Sequence, residues 1–154
     1  YRENFLSGDE CDKIIEELDT EDLEDGQLVG DYEEGIINKN VRRTLNKDII
    51  FDRYKKPFDD TNLFNRVESA LKIANIQYFN YDVEGIIQLS DSKDYEGGDF
   101  EFGLTDTEGS GLLKGNRNKG CLLVFPSFLS HRVAPLTKGK RYSIITWLEG
   151  NTFR

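Results

Sequence analysis

Cys11, Ile14, Ile15 and Leu18 recur at i, i+3, i+4 and i+7, the spacing of one apolar stripe along an α-helix. Ser7 and Glu10 stand just ahead of it at the S-x-x-E spacing of a capping box, where each side chain accepts a backbone N–H left unpaired by the first turn. The acidic run DTEDLEDG (19–26) interrupts the pattern and reads as a solvated loop that Gly26 helps to end. Strand-like stretches come next, near 27–32 and 40–51, separated by EEGIINKN. Pro57 and the cluster Asp59-Asp60-Thr61 announce a second helix, with Leu63, Phe64, Val67, Leu71 and Ala74 on its apolar face.

After that helix the texture changes. IQYFNYDV, IIQLS, GDFEFG, GCLLVF and RYSIITWL are short, rich in aromatic and β-branched residues, and bounded by Gly, Asp or Ser. Helices first and a run of strands afterwards predict an α+β, mainly β fold: an antiparallel core with helices packed on one side. The strand spacing suits a jelly roll or a small barrel. GCLLVFPS is nearly all apolar, so both of its faces are expected to be covered. In RYSIITWL, alternation sets Arg141, Ser143, Ile145 and Trp147 on one face and Tyr142, Ile144, Thr146 and Leu148 on the other. Pro135 and the Lys138-Gly139 turn signal predict a reversal between the two strands, which puts His131 and Arg141 on neighbouring strands.

Composition narrows the setting. A chain of 154 residues is one domain by the usual prior and long enough to bury a core without disulfides. Its net charge of −9 repels phosphate backbones and disfavours a nucleic-acid partner. No run approaches the ~20 apolar residues of a membrane helix, and no basic-then-apolar leader is visible. The expectation is a cytoplasmic protein, in the host cytoplasm if viral. Cys11 and Cys121 give no disulfide framework and suggest buried thiols in a reducing compartment. A single histidine and no close Cys pair argue against zinc.

That histidine, His131, is the first candidate for chemistry. Arg141 and Ser143 are the second, because a guanidinium and a hydroxyl on a mostly apolar face need a partner if the face is internal. The planar fork of arginine suits a carboxylate, so His131 and Arg141 could address one small acidic molecule. Plainer readings stand beside this one. His131 could be a hydrogen-bonded structural residue or a surface one, Arg141 could pair with any of 29 acidic groups, and Ser143 could cap a backbone group.

DYEGGDFEFG (94–103) and KGCLLVFPSFLSHRVAPLTKGKRYSIITWLEG (119–150) resemble the C-terminal half of iron(II)/2-oxoglutarate-dependent dioxygenases. The resemblance is to the prolyl-4-hydroxylase-like branch with its phage-encoded and bacterial PKHD-type members. That tail reads as an apolar strand, F/Y-P-S, a histidine, R-V-x-P-x-T-x-G-x-R, then a strand ending in Trp. FLSGDECDKIIE and VRRT (41–44) match the N-terminal half more loosely. The resemblance implies a double-stranded β-helix (jelly roll) with flanking N-terminal helices. It implies His131 as an iron ligand, and Arg141 with Ser143 on the far carboxylate of 2-oxoglutarate. Gly97 and Gly98 would let the backbone turn tightly beside the pocket, or simply form a bulge at a strand start. The implied cofactors are Fe(II) and 2-oxoglutarate, with ascorbate as an auxiliary. The implied reaction is hydroxylation of a C–H bond in a protein, peptide or small molecule, a prolyl residue among the candidates.

One part of the pattern is absent. A facial triad needs two histidines and a carboxylate, and the family supplies the first two ligands from H-x-D or H-x-E. Here FNYDVEG (79–85) resembles the segment on the N-terminal side of that motif, and IIQLSDSKDYEGG (86–98) the segment on its C-terminal side. Gly85 thus meets Ile86 where the family carries a substantial stretch. Either the protein has a segment there that this sequence lacks, or the stretch is truly deleted and catalysis is lost. About two strands of ~5–6 residues each and their connection cannot leave a jelly roll without unpairing their neighbours. Asp82, Asp91 and Asp94 are carboxylates near the gap but read as turn and loop residues. The alternative function is a non-catalytic jelly-roll module, binding or virion-associated. A sugar- or ligand-binding jelly roll without iron gives no reason for the His131, Arg141 and Ser143 spacing.

Overall fold

The computed structural model describes residues 1–19, 62–105 and 111–151, together with the backbone of 24–25 and 45–46. The chain divides into two compact units, Tyr1–Glu16 with Phe58–Arg154, and Glu17–Pro57. In the second, apart from residues 17–19, the described part is one antiparallel pair, β1 (Glu24–Asp25) with β2 (Leu45–Asn46). The acidic run therefore holds a strand residue pair where a loop was expected. The strand-like stretch at 27–32 lies outside the described residues, and of 40–51 only β2 is described.

In the first unit the capping box forms as the spacing predicts. Ser7 N–H donates to Glu10 Oε2 at 2.8 Å and Glu10 N–H to Ser7 Oγ at 3.2 Å, starting α1 (Gly8–Asp19). Cys11 and Ile14 are buried along its stripe, and Cys11 and Cys121 are free thiols. The second helix, α2 (Leu63–Ala74), buries Leu63, Val67 and Leu71, whereas Phe64, expected on the same face, is exposed. No helix among the described residues is long and apolar enough to cross a membrane.

IQYFNYDV is not one strand. Asn75–Phe79 continue α2 as a π-helical turn, with Ile76 and Tyr78 facing solvent. Asn80, left-handed at φ 60°, closes the turn by donating its N–H to Asn75 O at 2.8 Å. The Asn75 side chain accepts the Tyr81 N–H at 3.0 Å. These local hydrogen bonds outweigh the strand preference of the aromatic residues, and the strand starts only at Val83.

The rest is antiparallel sheet. β3 (Val83–Gln88) lies between β7 (Leu122–Pro126) and β10 (Ser143–Leu148). β5 (Phe100–Thr105) lies between β6 (Leu112–Lys114) and β8 (His131–Val133), and β4 (Tyr95–Gly97) pairs with β9 (Leu136–Gly139). Ile86, Leu123 and Phe125 of one three-stranded sheet pack on Phe100 and Phe102 of the other. The result is mainly β with two helices, and β7 is covered on both faces as its apolar sequence predicts. α2 lies on the opposite face of β3, where Gly85 makes room: a Cβ there would meet Thr146 Cγ2 at 3.0 Å and Leu71 Cδ1 at 3.1 Å.

The expected hairpin between His131 and Arg141 is corrected. His131 opens β8 and β9 intervenes before Arg141, and β8 belongs to the sheet of β5 while β10 belongs to that of β3. RVAPLTKGK hides this because both strands are largely solvent-facing and carry little apolar signal.

Arg66 ties the two helices together, pairing with Glu10 and donating to Phe5 O at 2.5 Å. The Arg66 hydrogen bond, against the opposing effect of burial and with help from Ser7, holds the Glu10 carboxyl below its usual range. A carboxylate with a depressed folded value contributes stability that is present above its unfolded pKa and lost as pH falls through the folded one. Glu10→Gln is expected to cost about 1 kcal/mol at neutral pH. In urea melts at successively lower pH, the deficit should shrink from the ordinary glutamate range downward. A deficit independent of pH would assign the loss to shape, not charge.

Candidate functional site

Register defines one face of the central sheet. Ser143, Ile145 and Trp147 stand opposite Gln88, Ile86 and Glu84, and Glu84 and Ile86 stand opposite Phe125 and Leu123. Ile86 enters the core, while Glu84 and Gln88, two residues to either side, are polar and 6% and 2% exposed. Each must therefore find a partner on this inner face.

Glu84 meets His131. The imidazole Nε2 lies 3.5 Å from Glu84 Oε2, across the space between the two sheets. Nδ1 lies 2.8 Å from the carbonyl oxygen of Leu129; a carbonyl only accepts, so Nδ1 carries the proton. Phe100 and Phe125 flank the ring, with centroids at 5.3 and 5.1 Å. Burial pushes the Glu84 carboxyl up, opposed by the charge of His131 and by a hydrogen bond from the Trp147 indole.

Gln88 meets Arg141. A terminal guanidinium nitrogen donates to Gln88 Oε1 at 2.8 Å, and the other reaches Ser143 Oγ at 3.4 Å. Arg141 Nε is buried and has no hydrogen-bond acceptor. Burial lowers the Arg141 pKa, Tyr95 opposes the shift, and the charge of Arg117 adds to it. Arg117 stacks on the Tyr95 ring at 4.5 Å and pairs with Asp99 at 2.6 Å.

The double glycine sits beside this cluster and also forms a bulge, at Glu96/Gly97. Gly97 has φ 73°, and a Cβ there would lie 2.2 Å from Pro135 O. At Gly98, with φ 63°, a Cβ would meet Leu136 Cδ1 at 3.0 Å and Arg141 Cδ at 3.3 Å. Asp82 accepts the Gly150 N–H at 2.7 Å, and Asp91 accepts the Lys93 N–H at 3.0 Å. Asp94 donates its N–H to Asp91 O at 3.0 Å. All three acids occupy turns and loops, as expected.

Arg141 and Ser143 are thus brought together, and His131 is not in contact with them. The two ends connect through β3, whose Glu84 and Gln88 Cα atoms are ~13 Å apart at the usual rise of a strand. Glu84 and Gln88 escape the sequence pattern because the family resemblance divides VEG from IIQ at Gly85. As one strand, VEGIIQ places Glu84, Ile86 and Gln88 on one face, the signal that finds them. Gly85 and Ile86 are in fact consecutive in β3 and paired on both sides.

A family model of the 2OG-Fe(II) oxygenase superfamily matches residues 57–149, and the chain belongs to that family. A PKHD-type hydroxylase of Synechococcus sp. (strain JA-2-3B'a(2-13)) is 32% identical over 82 residues, 53% of this chain and 35% of that protein. One from Alteromonas mediterranea is 35% identical over 100 residues, 64% of this chain and 42% of that protein. One from Gloeothece citriformis is 25% identical over 168 residues, 94% of this chain and 74% of that protein. The chain spans about a third of the length of the Synechococcus relative. The Gloeothece match runs over 168 positions against a chain of 154, so that relative carries positions with no counterpart here.

The family implies Fe(II) and 2-oxoglutarate, and the residues present fit them unequally. At the anion end, a buried guanidinium with an unpartnered Nε suits a carboxylate. At the metal end, no group of three or more His, Cys, Asp or Glu gathers among the described residues, and the sequence holds one histidine. His131 Nε2 is the one imidazole nitrogen free of a backbone partner.

Gln88→Leu removes the acceptor of a buried charged donor and is expected to cost about 1–3 kcal/mol in urea denaturation. Unchanged stability would show that Arg141 finds its support elsewhere.

Proposed function

We propose that this chain is the core of an Fe(II)- and 2-oxoglutarate-dependent dioxygenase with a double-stranded β-helix fold. In this reading Arg141 binds the far carboxylate of 2-oxoglutarate, Ser143 adds a second donor, and His131 Nε2 ligates the metal. The unpartnered Nε of a buried Arg141 carries the reading, because a desolvated guanidinium with spare donors is poised for a planar anion. His131 suits its role because the Leu129 carbonyl fixes its tautomer and directs the Nε2 lone pair away from the backbone.

Bound Fe(II) and 2-oxoglutarate would supply the oxygen activation that hydroxylates a C–H bond, releasing succinate and carbon dioxide. The chain's own residues orient the anion, hold the imidazole between aromatic rings and exclude water from the core side. Ile145 and Trp147 are 40% and 67% exposed on the same face and offer an apolar wall for a substrate. We assign a prolyl residue of a protein or peptide as that substrate on the resemblance to the prolyl-4-hydroxylase-like branch, with ascorbate as an auxiliary reductant.

The family's H-x-D or H-x-E positions would fall between Gly85 and Ile86, in a segment this sequence lacks. The extra positions of the Gloeothece relative support that reading. So do β8 and β10, each paired on one edge only among the described residues.

Arg141→Ala is expected to weaken 2-oxoglutarate binding about ten- to hundredfold by calorimetry, the loss of a charged hydrogen bond. Equal affinity in wild type and variant contradicts the anchor. The unbroken run of β3 through Gly85 and Ile86 favours a second reading, a jelly-roll module that binds a small acid without turnover. Succinate release by the wild type with Fe(II), abolished in His131→Ala, rules for the oxygenase. Binding without succinate release rules for the module.

A further inference from the structure

Two arginines converge on the buried Tyr95. Arg117, from the segment between β6 and β7, lies over the ring with its guanidinium carbon 4.5 Å from the centroid, and donates to the Tyr95 carbonyl oxygen at 3.4 Å. The Arg141 guanidinium meets the Tyr95 phenol, and the charge of Arg117 acts on it. Gly98 keeps this packing close, since a Cβ there would touch Tyr95 Cδ2 at 3.5 Å as well as Arg141 Cδ at 3.3 Å. Each of the two guanidinium groups also holds a buried Nε with no acceptor.

The charges around them do not balance. Asp99, its side chain 17% exposed, accepts from Lys114 and from Arg117, each at 2.6 Å. The Lys114 hydrogen bond, opposed by burial and aided by Arg117, holds the Asp99 carboxyl below its usual range, so it carries a full negative charge at neutral pH. The acids of β4 and β5, Glu96 and Glu101, are matched by Lys138 and Arg132. The partners of Arg141 among the described residues are the neutral Gln88, Ser143 and Tyr95. Lys114, Arg117 and Arg141 thus share the single charge of Asp99. Like charges in a partly desolvated cluster repel one another unless an anion joins them.

We propose that Arg117 is the second cation of the Arg141 anion pocket: held by Asp99 on the Tyr95 ring, it positions Arg141 through that ring and adds the uncompensated positive charge that favours a ligand ending in a carboxylate. This rests on the reading of Arg141 as the anchor of 2-oxoglutarate. It adds a specificity-determining residue that lies outside both segments carrying the family resemblance, 94–103 and 119–150. Arg117 acts through charge and through the ring, without touching the ligand, so its effect is smaller than that of Arg141 and falls with salt.

Calorimetric titration with 2-oxoglutarate, at low salt and at about 1 M salt, tests this on variants that urea melts show to be folded. Arg117→Gln should weaken binding about three- to tenfold at low salt, and the loss should shrink at high salt, where the Debye length is ~3 Å. Arg117→Lys keeps the charge and should restore most of the affinity. Asp99→Asn tests the opposite sign and serves if Arg117→Gln alters the fold. It removes the one anion set against Arg117, so affinity should rise about two- to fivefold. Lys72→Gln, in an exposed pair on α2, should change nothing. Arg117→Gln binding like the wild type, equal losses in Arg117→Gln and Arg117→Lys, or weaker binding by Asp99→Asn each overturn the Arg117 assignment; the anchor survives if Arg141→Ala still loses affinity. A wild type that binds no 2-oxoglutarate overturns both.

Discussion

β3 is hydrogen-bonded along both edges and buried along its whole length, and this double burial constrains everything around it. One face must accept α2, which is why Gly85 stands beneath Leu71. The other presents Glu84, Ile86 and Gln88, of which only the middle residue is apolar. A one-residue slip of register would turn both polar side chains toward the helix, leaving His131 and Arg141 facing aliphatic groups. The candidate site is therefore a consequence of how this strand is paired, more than of the loops around it.

Buried polar groups are expensive unless paired, and here the cost is met in different ways at the two ends. Gln88 is neutral and gives Arg141 a good acceptor, yet leaves the guanidinium with donor capacity unused. Glu84 is charged and gains only an imidazole at 3.5 Å and an indole N–H. At the Arg141 end one buried donor, Nε, is left without an acceptor. A binding site differs from a structural network in this respect: the missing partner comes from outside.

The sequence makes much of this visible and conceals the rest for identifiable reasons. The capping box, the stripe through Cys11 and Ile14, and the buried Leu63, Val67 and Leu71 of α2 all come from helical period. Arg141 and Ser143 do stand together, as alternation predicts, although the regular pairing with β3 covers only SIITWL and Arg141 lies just ahead of it. The π-helical turn at Asn75–Phe79 is hidden, since its aromatic residues have strand-like character and only Asn75 and Asn80 mark the local hydrogen bonds. β8 and β9 are hidden because exposed edge strands carry little hydrophobic signal. Glu84 is concealed because the family pattern cuts its strand in two, whereas alternation alone sets it on the face of Ile145 and Trp147.

The central claim is that an anion held at Arg141 reaches toward a metal held at His131. Mn(II)-induced relaxation of carbon-13-labelled 2-oxoglutarate bound to the protein measures this directly. The account predicts that the keto-acid carbons relax much faster than the far carboxylate carbon, and that the effect disappears in Arg141→Ala. Equal relaxation of both ends, or relaxation that survives the loss of Arg141, would contradict it.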